Sequence, residues 1–163
     1  MSIIISLPFD GRETMATVCE SDCRHREIFK VIFSNEYENI FYRDVENGKW
    51  VEEDLGYTDL ARLVGSKLIG RLAGPVHVPK LLNWHTEVWN GTPCKFGFTC
   101  TPRDEERIFE IYDHRKKYMY SLVENESDGW EILGNQDIMH GRIDSCFLDL
   151  VLSVLSEFST DNA

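Results

Sequence analysis

Three places in this sequence carry side chains whose types and spacing could do chemistry. Cys19, Cys23 and His25 form a C-x3-C-x-H cluster, two thiols and an imidazole within one short loop, and these are ligands that suit zinc. A tetrahedral zinc shell needs a fourth donor, and no matching C-x-x-C or H-x-x-x-H follows. His77, His85, Cys94 or Cys100 would have to complete it through the fold. The expectation is therefore separate cysteines, with no metal and no cofactor, and Cys19, Cys23 and His25 stand as the alternative.

His85 and Glu87 are alternate residues of an extended segment and share one face with Trp89. A carboxylate beside an imidazole orients it and favours its charged form, which is the pairing of a general base with its orienter. No Gly-x-Ser-x-Gly, H-E-x-x-H or Walker loop supplies a nucleophile or a phosphate cradle, so the reading leans away from an enzyme. Trp84, His85, Glu87 and Trp89 remain the ligand-binding candidates, in a cleft between the two halves of the chain.

Charged runs are the third source. Glu52, Glu53 and Asp54 stand before a helical pattern, and Asp104, Glu105 and Glu106 before a strand. Adjacent acids in a loop usually point apart, so both runs are expected to be solvated rather than to hold a cation. Arg115, Lys116 and Lys117 read as a charged hairpin tip.

The elements that must position these residues show a faint internal echo. Tyr42, Val45, Glu46, Asn47 and Trp50 resemble Tyr120, Val123, Glu124, Asn125 and Trp130 in order. Asp10-Gly11 matches Asn90-Gly91, and Ile28-Phe29 matches Ile108-Phe109, at a displacement of eighty residues. Each half reads as short β-branched or aromatic strands followed by a helix. Asn47-Gly48 looks like a type I′ hairpin that returns Trp50 beside Tyr42, since Asn and Gly accept the positive φ such a turn requires. The period then changes: Thr58 caps a helix with Leu60, Leu63, Val64, Leu68 and Leu72 on one face, weakened by Gly65. At the C-terminal end Ile143, Cys146, Phe147, Leu150, Val151, Val154, Leu155 and Phe158 recur at helical spacing, with Leu148 and Leu152 widening the stripe.

The predicted fold is α+β: antiparallel sheets from two related units, 1–74 and 80–163, joined by the Gly/Pro-rich stretch 70–80. The C-terminal amphipathic helix is expected to pack on the sheet or partly in a homodimer interface.

Composition narrows the function. The 163 residues carry 17 Lys and Arg against 28 Asp and Glu, a net charge of −11. Through Lys80 the count is 10 basic to 13 acidic, and beyond it 7 to 15, so the second half is the more acidic. Such a field repels phosphate backbones and anionic lipid, which argues against nucleic acid and membrane and for a protein partner with a basic surface. No signal-peptide pattern opens the chain, so a cytoplasmic location is expected. The resulting expectation is a non-enzymatic interaction or regulatory module, and the alternative is a small-molecule binding protein or hydrolase.

Overall fold

The computed structural model describes residues 2–20, 27–69, 78–103, 106–125, 129–133 and 144–161. Two units divide the chain, Met1–Leu81 and Leu82–Ala163. The first holds strands β1 (Ser2–Phe9), β2 (Arg12–Glu20), β3 (Ile28–Phe33), β4 (Glu38–Arg43) and β5 (Trp50–Glu52), then helix α1 (Asp59–Leu68). The second holds β6 (Asn83–Trp89), β7 (Thr92–Arg103), β8 (Glu106–Asp113), β9 (Tyr118–Asn125) and β10 (Gly129–Leu133), then helix α2 (Ser145–Asp161). Each set of five strands pairs antiparallel in sequence order, so the fold is α+β with two five-stranded meanders and two helices.

Turn chemistry sets the registers. Asp10 and Gly11 both have positive φ, 52° and 70°, as do Asn90 and Gly91, at 50° and 78°. This is the geometry of a two-residue type I′ loop, and it closes the pairs Phe9–Arg12 and Trp89–Thr92. The next ladders also correspond eighty residues apart: Ala16 faces Phe33, as Phe96 faces Asp113. The turns after β3 and β8 match as well, with Glu36 at φ 67° and Lys116 at φ 65°. Beyond them an irregularity at Ile111/Tyr112 leaves Met119 between the pairs Tyr112–Tyr118 and Ile111–Tyr120. The second unit is therefore displaced by one more residue along β9.

Two expectations are corrected by these ladders. Tyr42 faces Ile28, whereas the partner of Ile108 is Val123, so Tyr42 and Tyr120 do not hold matching positions. The tryptophans rest on phenylalanines instead: Trp50 on Phe29 at 5.8 Å between centroids, and Trp130 on Phe109 at 5.3 Å. Nor is Asn47-Gly48 a two-residue hairpin. Asp44 Oδ1 accepts from the backbone N–H of Glu46 and Asn47, the Gly48 N–H bonds to the Asp44 carbonyl, and the loop runs from Asp44 to Lys49. A side-chain acceptor three residues before Asn47 has taken over the turn.

In the first unit one sheet face buries Ile5, Leu7, Ala16, Val18, Phe29, Val31, Phe33 and Phe41 against Leu60, Ala61, Val64 and Leu68 of α1. The Thr58 hydroxyl accepts from the Ala61 N–H at 2.9 Å and so caps the helix. Ala61 and Gly65 leave room for the helix to come close to β1 and β5. Leu72 lies outside the described residues.

The second unit uses bulk where the first uses small residues. Phe147 meets Phe96 edge-on at 5.7 Å, and Phe158 meets Phe98 at 5.1 Å, while Leu150, Val151, Val154 and Leu155 complete the cluster. Asp144 caps α2 by accepting from the Phe147 N–H at 2.9 Å. The helix rests on the sheet only loosely, through these side chains and the buried Ser159 hydroxyl, which donates to Glu124 Oε2 at 2.9 Å. This qualifies the close packing expected from its apolar stripe.

Candidate functional site

The register equivalence gives the candidate residues their meaning. Counting from the matched hairpins, Asn83, His85, Glu87 and Trp89 stand where β1 places Ile3, Ile5, Leu7 and Phe9. Ile5 and Leu7 are fully buried beneath α1. The second unit puts an imidazole and a carboxylate at those positions and leaves them uncovered, with side-chain exposures of 34% and 49%.

His85 Nε2 lies 3.3 Å from Glu87 Oε2, and the imidazole ring tilts over Phe96 at 5.5 Å. The ladder sets Phe96 opposite His85 and Cys94 opposite Glu87. Polar side chains thus stand on an aromatic floor formed by Phe96 and the edge-on Phe147. Trp89 shares this face and packs against the second core, where its indole N–H is buried without a hydrogen-bond partner.

Trp84 is separated from the other three. It occupies the opposite face of β6, where its ring covers Gly97: a β-carbon there would be 3.3 Å from the ring. Lys95 Nζ stands over the same ring at 4.7 Å, a cation–π contact. Trp84 therefore fills the gap left by a glycine in the neighbouring strand.

Cys94, named above only as a possible fourth zinc donor, lies opposite Glu87 in the ladder set by the Asn90-Gly91 turn. No hydrogen bond joins its thiol to either His85 or Glu87. This face can offer a carboxylate acceptor, an imidazole and an apolar floor to a ligand, but it does not align a nucleophile with a base.

The sulfur cluster is only partly in view. Cys19 is a half-buried free thiol on the solvent-side face of β2, while Cys23 and His25 lie outside the described residues. Among the described residues no group of three His, Cys, Asp or Glu side chains could hold a metal ion.

The acidic run before α1 departs from its expected solvation. Glu52 is only 2% exposed. Its carboxylate accepts from the Tyr37 hydroxyl, from Asn39 Nδ2 at 3.3 Å and from the Thr58 hydroxyl at 2.5 Å. Burial, and then the hydrogen bond to Glu52, raise the Tyr37 pKa above the usual phenol value. Donors from β4, its preceding turn and the helix cap converge on one acid, so the cluster ties α1 to the sheet. Nothing in the local sequence announces it, because each donor comes from a different segment.

In the second unit Tyr120 stands where Asn39 stands in the first. Its hydroxyl is buried without a partner, and burial followed by the charge of Asp144 pushes its pKa up. Among the described residues no helix is long and apolar enough to cross a membrane. Comparison with family models, with curated proteins and with solved structures finds no match for this chain.

Proposed function

We propose that the chain is a non-enzymatic protein-binding module built from a duplicated meander-and-helix unit, in which the first copy is a closed scaffold and the second does the recognising. One observation carries this reading. At matching register, Ile5 and Leu7 are sealed under a helix while His85 and Glu87 are open above Phe96. Substituting charged or polar groups at core positions forgoes roughly 1.5–3 kcal/mol of burial for each apolar side chain lost, so such a face is a candidate for recognition rather than for packing.

A partner with a basic surface fits the net charge of −11 and the concentration of acid in the second half. The free thiols of Cys19, Cys94 and Cys146 suit a reducing compartment such as the cytoplasm.

The reading is tested by immobilising the wild-type chain and a His85→Ala/Glu87→Ala double variant and eluting captured proteins with salt. Basic proteins should be retained by the wild type, released at moderate ionic strength, and lost from the double variant. Equal capture by both, with both folded by circular dichroism, would sink it.

A further inference from the structure

Every five-stranded meander has two edges, and edges are where sheets recruit further strands. In the first unit β5 is three residues long and turns back at the Glu52–Gly56 bridge. The other edge of that sheet, β1, carries a proline. A type I′ hairpin closes on a pair that exchanges both hydrogen bonds, so Phe9, Leu7, Ile5 and Ile3 turn their backbones toward β2. The residues between them face outward, and one of these is Pro8, which has no N–H to offer.

The same count on β6 gives a different result. Trp89, Glu87, His85 and Asn83 bond inward to β7, and Val88, Thr86 and Trp84 present their N–H and C=O groups outward. Val88 replaces Pro8. The strand has no proline, no lysine and no bulge, and its outward positions are open, with Val88 65% and Trp84 38% exposed. Among the described residues nothing pairs with this edge.

The geometry points to a second copy of this chain as the occupant, added antiparallel along β6 about a twofold axis through Thr86. The seven residues Asn-Trp-His-Thr-Glu-Val-Trp complement their own reversal. In that register Trp84 lies opposite Val88 of the second copy and Thr86 opposite Thr86, all of them outward-facing, so the ladder closes with about six backbone hydrogen bonds. On one face His85 meets Glu87 of the second copy, twice by symmetry, which sets an imidazole against a carboxylate. On the other face the exposed Val88 and Trp84 cover one another. A shift of one residue would set outward groups against inward ones, and a shift of two would lose the His–Glu match. This inference goes beyond the recognition reading and does not rest on it, because purified chain alone is enough to test it.

Two copies of net charge −11 repel, so association should tighten as salt rises toward about 0.15 M, where the screening length falls to about 8 Å. The test is sedimentation equilibrium of the full chain from low to high micromolar concentration. The expected result is a mass approaching twice 18.9 kDa. Val88→Pro, which copies Pro8, should give a folded monomer.

Should Val88→Pro disturb the fold, charge exchange supplies a second reading. His85→Glu alone and Glu87→His alone should each weaken the dimer about tenfold, since each cross-strand mismatch occurs twice, while the double exchange should restore it. A wild-type chain that stays monomeric throughout overturns the inference. So does a dimer that both the proline and the single exchanges leave intact.

Discussion

The indole of Trp50 fills the space that a side chain on Gly65 would need. A β-carbon at Gly65 would lie 2.0 Å from Trp50 Cδ1. Glycine in the middle of α1 therefore lets the helix settle onto β5, at a helix-propensity cost of about 1 kcal/mol. Gly65→Ala improves propensity but forces the ring or the helix to move. We expect the clash to win, with a net loss of about 1–3 kcal/mol in urea unfolding. A Trp50→Ala/Gly65→Ala double variant should lose less than the sum of the two single changes; strict additivity would mean that the contact is not limiting.

Glu52 collects hydrogen bonds from Tyr37, Asn39 and Thr58 in a buried setting. Glu52→Ala leaves these donors without their acceptor and should cost about 2–3 kcal/mol, read as a lower midpoint at unchanged denaturant slope. Glu52→Gln keeps an acceptor oxygen and should cost less. Equal losses would show that the cluster is held by packing rather than by hydrogen bonds.

The buried hydroxyl of Tyr120 lacks a partner, so removing it should not harm the fold. Tyr120→Phe is expected to leave stability unchanged or to raise it by about 1 kcal/mol near neutral pH. Both Tyr37 and Tyr120 have pKa values raised by folding. The native state then holds their protons more tightly than the unfolded chain does. Stability from these groups is present below the unfolded value of about 10 and declines as pH climbs above it toward the folded values. Unfolding midpoints recorded from pH 8 to 11 should fall at the alkaline end, and Tyr120→Phe should flatten the fall. An unaltered alkaline slope in that variant would count against Tyr120 as a source.

Phe158 touches both Phe98 and Phe109 with its ring edge-on. These ring contacts join the Ser159 hydroxyl, which donates to Glu124 Oε2 at 2.9 Å, in attaching the last turns of α2. Phe158→Ala should cost about 2–3 kcal/mol, part of it seen as faster amide exchange in α2 than in β7 or β8. Uniform exchange across the unit would indicate that helix and sheet open together.

Much of this architecture was legible because local chemistry and global pairing agree. Asp10-Gly11 and Asn90-Gly91 are sufficient for their turns, and alternation along β7 correctly places Cys94, Phe96, Phe98 and Cys100 on one side. His85, Glu87 and Trp89 share a face for the same reason of period, while Trp84 sits behind them. What escaped depends on groups distant in sequence. Asp44 overrides the signal of Asn47-Gly48, and Glu52 is drawn inside by a tyrosine, an asparagine and a threonine that no local pattern ties to it. The stacking of Trp50 on Phe29 spans two intervening turns, so the choice of phenylalanine over tyrosine as the partner belongs to tertiary packing.

Met119 shows what the second sheet can absorb. An added residue within a strand would ordinarily reverse the facing of everything after it, sending Tyr120 and Leu122 to the wrong side. The irregularity beside Tyr112 confines that change to one position, and Leu122 still faces Phe109 in the core. Set against the first unit, the second thus accommodates one more residue and keeps its interior. The start of β4, between Glu38 and Asn39, is by the same logic a place where the first unit can accept an engineered residue without redrawing its hydrophobic pattern.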